Sequence, residues 1–332
     1  MTRGGLSLAA LAGACLLAAG SAEADDFSTD AIGTTGAEFL SIDVGARGVA
    51  MGGAYSAVTN DAYSMYWNPA GLTQIPRASA VLMHNRYAQD ITFDYLAYAQ
   101  RLSDTAVVGG AFRHMDAGSI PATDINGVGA GYFHPRNYVW ELGYGQHITD
   151  LTDSERDISL GVVTRYFHSD LVSHADAFAG DIGIQYHYYS AYWPWHFALA
   201  GQNFGRGPKY DERRETLPFR GRLGMSVNPT KFLLFSMDGV FPVANQPHLA
   251  WGAEITMEAH REAQAFLRAG LDTVTLWNGL EQFRGATFGM GVKTSMFHFD
   301  YAWAPMGFLG DTHRFSVGIN LPTKGSRRYR ER

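Results

Sequence analysis

The sequence predicts an all-β protein, a transmembrane antiparallel β-barrel of about 14 strands. Three observations carry that expectation. Charged residues make up only 17% of the chain, while aromatics reach 13% and there are 38 glycines; soluble domains carry roughly 25% charge. After an N-terminal export signal no stretch approaches the ~20 apolar residues a helix needs to cross a bilayer. In place of such a stretch, segments of about ten residues alternate between apolar and polar positions, the period of a strand with two unlike faces.

The export signal comes first. Arg3 supplies the positive end, Leu6–Gly20 is rich in Leu and Ala, and Ala22 and Ala24 form an A-x-A site before Asp25-Asp26. These features predict a signal peptide over 1–24. Cys15 lies inside it, and a lipoprotein box would want Leu three places earlier, where this chain has Ala12. Cleavage after Ala24 leaves the mature chain without cysteine, so disulfides and thiolate chemistry are not expected. The formal net charge of -6 gives no footprint for nucleic acid.

The region 25–77 differs from the rest of the mature chain. It is rich in Gly and Ala and ends in Tyr66-Trp67-Asn68-Pro69-Ala70-Gly71-Leu72. Its residues alone allow a disordered leader or a small hatch inserted in the barrel, with the Asn-Pro-Ala-Gly element making a tight turn.

The barrel is expected over 78–321, in segments 78–87, 92–102, 106–115, 136–148, 157–168, 176–188, 195–204, 217–228, 231–240, 248–257, 264–273, 284–294, 296–304 and 313–321. Phe297-His298-Phe299-Asp300-Tyr301-Ala302-Trp303 is the clearest: four aromatics share one face, and His298, Asp300 and Ala302 the other. The first three segments are blurred by Ala and Gly. Aromatics near segment ends suit interfacial girdles, Trp193-Pro194-Trp195 among them. The stretch 116–135 reads as one larger loop, and 322–332 as a basic tail.

Several of these motifs resemble a known family. Gly36-Ala37-Glu38-Phe39-Leu40, Val44-Gly45-Ala46-Arg47, Met51-Gly52-Gly53-Ala54, Asn60-Asp61-Ala62 and Tyr66 to Leu72 are similar to the N-terminal signature of the PorV/PorQ family. That family is itself similar to the FadL-type outer-membrane transporters (OMPP1/FadL/TodX). Gln202-Asn203-Phe204-Gly205 with Leu217 to Gly224, and Phe299 to Pro305 with Leu309 to Arg314, continue the resemblance to the end of the chain. The resemblance implies a FadL-like barrel plugged by 25–77. It implies either passive diffusion of hydrophobic compounds, as in FadL-type members, or binding of secreted cargo in type IX secretion, as for PorV. One departure is the tail Lys324 to Arg332 after Leu321, where barrel chains commonly finish on an aromatic residue.

Other motifs carry less. Gly289-Met290-Gly291-Val292-Lys293-Thr294 lacks the Gly-Lys-Thr adjacency of a phosphate loop and reads as a strand. The 12 histidines show no metal-binding spacing, and the mature chain has no nucleophile elbow. Neither cofactor, metal nor catalytic residue is expected. Inward charges remain: Arg165, Arg220, Arg222, Arg268 and Lys293 against Glu141, Asp181, Glu254, Asp272 and Asp300. They read chiefly as an ion-pair lattice joining wall and plug. The functional alternative is a polar track of Arg220, Arg222, Glu254, Arg268, Asp272 and Asp300 that binds the head of an amphipathic ligand. In the plug, Asn68, Pro69 and Gly71 are expected to set a gating turn, and Arg47 to pair with Asp300 or Asp272.

The expected protein is therefore integral to the bacterial outer membrane, in contact with its lipids. It passes hydrophobic or amphipathic small molecules by diffusion, or alternatively binds secreted cargo and secretion-machinery proteins for surface attachment.

Overall fold

The computed structural model describes residues 26–87, 91–149, 155–171, 173–190, 192–210, 212–260, 263–274, 285–306 and 310–322. The signal peptide and nearly all of the basic tail lie outside them.

Alternating sequence becomes a closed sheet. The strands are β1 (Ala78–Arg86), β2 (Thr92–Arg101), β3 (Ala106–Asp116), β4 (Ile120–Thr123), β5 (Gly129–Phe133), β6 (Arg136–His147), β7 (Arg156–Asp170) and β8 (His174–Tyr189). They continue as β9 (Pro194–Arg206), β10 (Arg220–Thr230), β11 (Leu233–Pro242), β12 (His248–His260), β13 (Ala263–Asp272), β14 (Ala286–Lys293), β15 (Phe297–Pro305) and β16 (Asp311–Leu321). All but β4 and β5 form one closed antiparallel barrel, with β1 hydrogen-bonded to both β2 and β16. Closure leaves no unpaired sheet edge, which a wall in hydrocarbon requires. Every one of the expected segments forms a wall strand.

Two expectations change in detail. The stretch 116–135 is not one open loop, because it contains the β4–β5 hairpin. Its turn is built by Asp124, whose carboxylate accepts from the amides of Asn126 and Val128 at 2.8 Å, with Gly127 at φ +80. Glycine and proline hide such short strands from a test of alternation. The segment begun at 217 enters the sheet only at Arg220; Pro218 has no amide hydrogen to give, and Phe219 N turns back to Leu217 O.

The outer face carries the apolar positions. Leu96, Trp140, Leu142, Leu223, Trp251, Met290, Phe299 and Phe315 are all exposed. Aromatic rings adjoin from strand to strand, Phe112 tilted against Trp140, Trp140 stacked on Tyr166 and Tyr166 tilted against Phe178, with centroids 5.2–5.6 Å apart. Trp195 stacks on Phe197 near the opposite end. The strand ends next to Ala78 and Leu321 are joined by short turns such as Lys231-Phe232, and the other end carries the longer connections, the hairpin included. In outer-membrane barrels the short-turn end faces the periplasm.

The core lies inside the barrel. Residues between Thr29 and Gln74 form five short helical turns and supply about half of its largest buried side chains, among them Trp67, Tyr55, Met51, Met65 and Leu72.

Candidate functional site

This inner segment is compact because its sequence alternates large apolar anchors with Gly and Ala. Trp67 is fully buried, donates its indole N–H to Val44 O at 2.9 Å and meets Tyr55 and Tyr66 edge-on. Gly48 lies against its indole ring, where a Cβ would collide.

The Asn-Pro-Ala-Gly element does two jobs. Asn68 is fully buried and caps the 3-10 helix Pro69–Gln74 by accepting from Ala70 N at 3.1 Å, while Pro69 takes the first helical position. The other side of the Asn68 amide donates to Ile184 O in the wall at 3.0 Å. Gly183 on β8 and Gly161 on β7 have no room for a side chain against Asn68 and Pro69. Gly71 is packed as tightly against Thr59 and Ser64 within the segment. A row of wall glycines is thus a slot for backbone, which explains part of the high glycine content.

Arg47 is held by charge. Its guanidinium makes a two-pronged contact with Glu254, both nitrogen–oxygen distances being 2.8 Å. Glu254 also accepts from Arg268 Nε at 2.6 Å, and Arg268 reaches on to Asp300. The expected partners of Arg47, Asp300 and Asp272, are therefore replaced by Glu254. Asp300 is used by Arg268, and Asp272 lies apart, 3.6 Å from His248 Nε2 and capping Val274 N. Which carboxylate meets Arg47 depends on how deeply the helix Ala46–Ala50 enters the barrel, a distance no alternation encodes.

The six residues read as one polar track divide into separate groups. Arg47, Glu254, Arg268 and Asp300 form one chain. Arg222 donates to Gly53 O at 3.0 Å and lies 3.4 Å from Asp238; Arg220 lies 3.5 Å from Asp43 and donates to Ser41 O. A third group joins Arg113 to Glu141, with Arg165 3.6 Å from Glu141 and also bound to Asp181. His187 and His298 are buried on the inward face. Asp43, Asp238 and Arg113 were missed. Asp238 follows Phe235-Ser236-Met237 on the polar phase of β11, so the alternation itself was a usable signal; Arg113 sits in a segment blurred by Gly and Ala.

Hydrogen bonds to the segment's backbone complete the seam. Ala46 N donates to Ser316, Gly52 N to Thr287, Ser56 N to Asp238 and Ala62 N to Ser79. Gln185 donates to Ser56 O, Arg165 to Met65 O, Arg113 to Leu40 O, and Arg101 to the carbonyls of Thr73 and Ile75. Wall strands from β1 round to β16 take part.

One cluster superficially suggests hydrolysis. Ser159 Oγ and Asp157 Oδ1 lie 3.2 and 2.9 Å from His147, but both meet the same ring nitrogen, Nδ1. A Ser-His-Asp relay uses opposite nitrogens. Two apolar hollows, of about 440 and 570 Å³, lie on the outer wall rather than between segment and wall.

Compared with known proteins, residues 25–228 match the family model described as type IX secretion system protein PorV. Among solved structures, the Pseudomonas putida toluene transporter TodX aligns over 83% of this chain and 96% of its own, at 11% identity and a TM-score of 0.53. The Ralstonia pickettii toluene transporter TbuX gives 12% and 0.51, and a Pseudomonas aeruginosa FadL homologue 10% and 0.51, each covering 83% of this chain and 97% of its own. At such identities the likeness is one of fold. No curated protein matches by sequence.

Proposed function

The chain belongs to the PorV family, and from that premise we propose that this outer-membrane barrel binds proteins, acting in type IX secretion and the surface attachment of cargo. The observation that carries the reading is the filled lumen, where Trp67, Tyr55, Met51, Met65 and Leu72 of the inner segment are buried inside the wall. Passage through it would open buried ion pairs in several places, and breaking one such pair by removing a partner costs about 3–5 kcal/mol. The face left for function is the long-loop end, where the hairpin exposes Ile125, Val128 and Tyr132. Exposed apolar side chains grouped in this way suit a protein partner. No enzymatic step and no cofactor belong to this reading.

Passive diffusion of hydrophobic small molecules is the second reading, favoured by one irregularity. The β8–β9 register shifts between Gly180 and Ile182, opposite Asn203 at φ +61. That break is filled: Asp181 accepts from Asn203 N at 2.8 Å, and the Asn203 amide donates to Pro218 O at 3.0 Å.

The test is to purify the protein gently from its own outer membrane for native mass spectrometry, alongside uptake of labelled toluene by cells with and without it. Bound secreted protein and unchanged uptake are expected. Protein-dependent uptake, altered by changing Asn68 and Pro69 to Ala, would overturn the proposal in favour of diffusion.

A further inference from the structure

The larger outer hollow, about 570 Å³, lies on the arc of wall from β2 to β8. It is walled by Tyr98, Phe112, Trp140, Leu142, Tyr166 and Phe178. It exists because Gly110 faces outward between Tyr98 and Leu142, its cross-strand neighbours, and contributes no side chain.

One rung nearer the long-loop end runs an unbroken cross-strand row: His84, Asp94, His114, Tyr138, His168 and Asp176. His84 Nδ1 lies 2.7 Å from Asp94, and His168 Nδ1 2.8 Å from Asp176, which also accepts from Tyr166 OH at 2.7 Å. His114 stacks on Tyr138 at 5.0 Å. These groups remain open to the outside: the side chains of Asp94 and Asp176 are 42% and 49% exposed.

The smaller hollow is an internal comparison. It lies among Met225, Met237, Trp251 and Leu271, and the next outward residues toward the long-loop end are Gly239 and Leu249. Its walls are apolar, and the one polar side chain on the next rung, Thr273, is taken up by Leu249 N, with no charged or imidazole group among these neighbours.

We propose that the crowned hollow is a binding site for a glycolipid of the outer leaflet, with an acyl chain in the hollow and sugar hydroxyls on the row above. The chemistry of the row selects the head group. Asp94 and Asp176 accept hydroxyl hydrogen bonds, the imidazoles and Tyr138 donate, and the ring faces give a sugar a flat apolar surface. Depth agrees, because the row sits two residues from the strand ends, where hydrocarbon gives way to head groups. The site is independent of the secretion reading.

The test uses full-length protein extracted from its own outer membrane in lauryldimethylamine oxide, a detergent without sugar, with bound lipid identified by native mass spectrometry. Gly110→Leu fills the hollow, where an added Cβ meets only Glu141 O at 3.7 Å. Asp94→Asn with Asp176→Asn weakens the crown. Ala253→Phe fills the uncrowned hollow as a control. The expected result is a retained glycolipid whose occupancy falls at least tenfold in the first two variants and is unchanged in the control. Wild type retaining only phospholipid or no lipid, or occupancy indifferent to Gly110→Leu, would overturn the site.

Discussion

The inner segment is fastened in two places by unlike means. Around Asn68 and Pro69 the contact with β7 and β8 is neutral and made by shape: backbone lies against glycines, with one side-chain amide bridging to Ile184. Around Arg47 it is made by charge, a four-membered chain shared with β12, β13 and β15. The first tolerates no added atom. The second tolerates no missing partner, since an uncompensated charge inside the barrel is costly.

The largest expected effect sharpens the ionic half. Glu254→Gln leaves Arg47 and Arg268 facing each other across a neutral amide, and a loss of about 3–5 kcal/mol is expected in urea unfolding of the detergent-solubilised barrel. Replacing Arg47 and Arg268 by Met together with Glu254 and Asp300 by Leu should recover most of it. A quadruple variant as unstable as Glu254→Gln would show that more than charge balance is at work there.

The shape-made half is tested next. Gly183→Ala pushes a Cβ into Asn68 and should cost about 1–3 kcal/mol, whereas Gly110→Ala on the outer face should stay within about 0.5 kcal/mol. Equal effects would mean that the slot is not tight. Asn68→Ala removes the helix cap and should cost about 1 kcal/mol.

The smallest effect lies outside the barrel. The Val128 and Asn126 amides hold the Asp124 carboxyl below its usual value, the Val128 bond being the largest cause. A depressed carboxyl contributes order that is complete above the ordinary Asp value of about 3.9 and is lost as pH falls through the lowered one. The Val128 amide resonance should therefore titrate with a midpoint below about 3.9, with no change in the barrel. A midpoint at or above that value would remove Asp124 as the organiser of the turn.

Legibility in the sequence depended on what kind of contact each residue makes. The wall strands were readable because lipid and lumen impose opposite chemistry on successive residues, as in Phe297 to Trp303. The hairpin was not, since Pro121 and three glycines between 127 and 131 leave little to alternate. Asn68-Pro69 stood out as a turn, but its contact with Gly161 and Gly183 is made across roughly a hundred residues of chain. Regularly placed glycines on the polar phase were the one overlooked signal of that contact.

The sequence by itself determined the fold class, the strand count and the face each wall residue presents, because these depend on a local period and on the solvent at each side. Only the tertiary structure decided that Arg47 meets Glu254, that the inward charges form separate groups, and that the inner segment packs against the wall by way of its glycines. Those outcomes depend on how far one segment enters a closed ring, a distance set by the packing of the whole molecule.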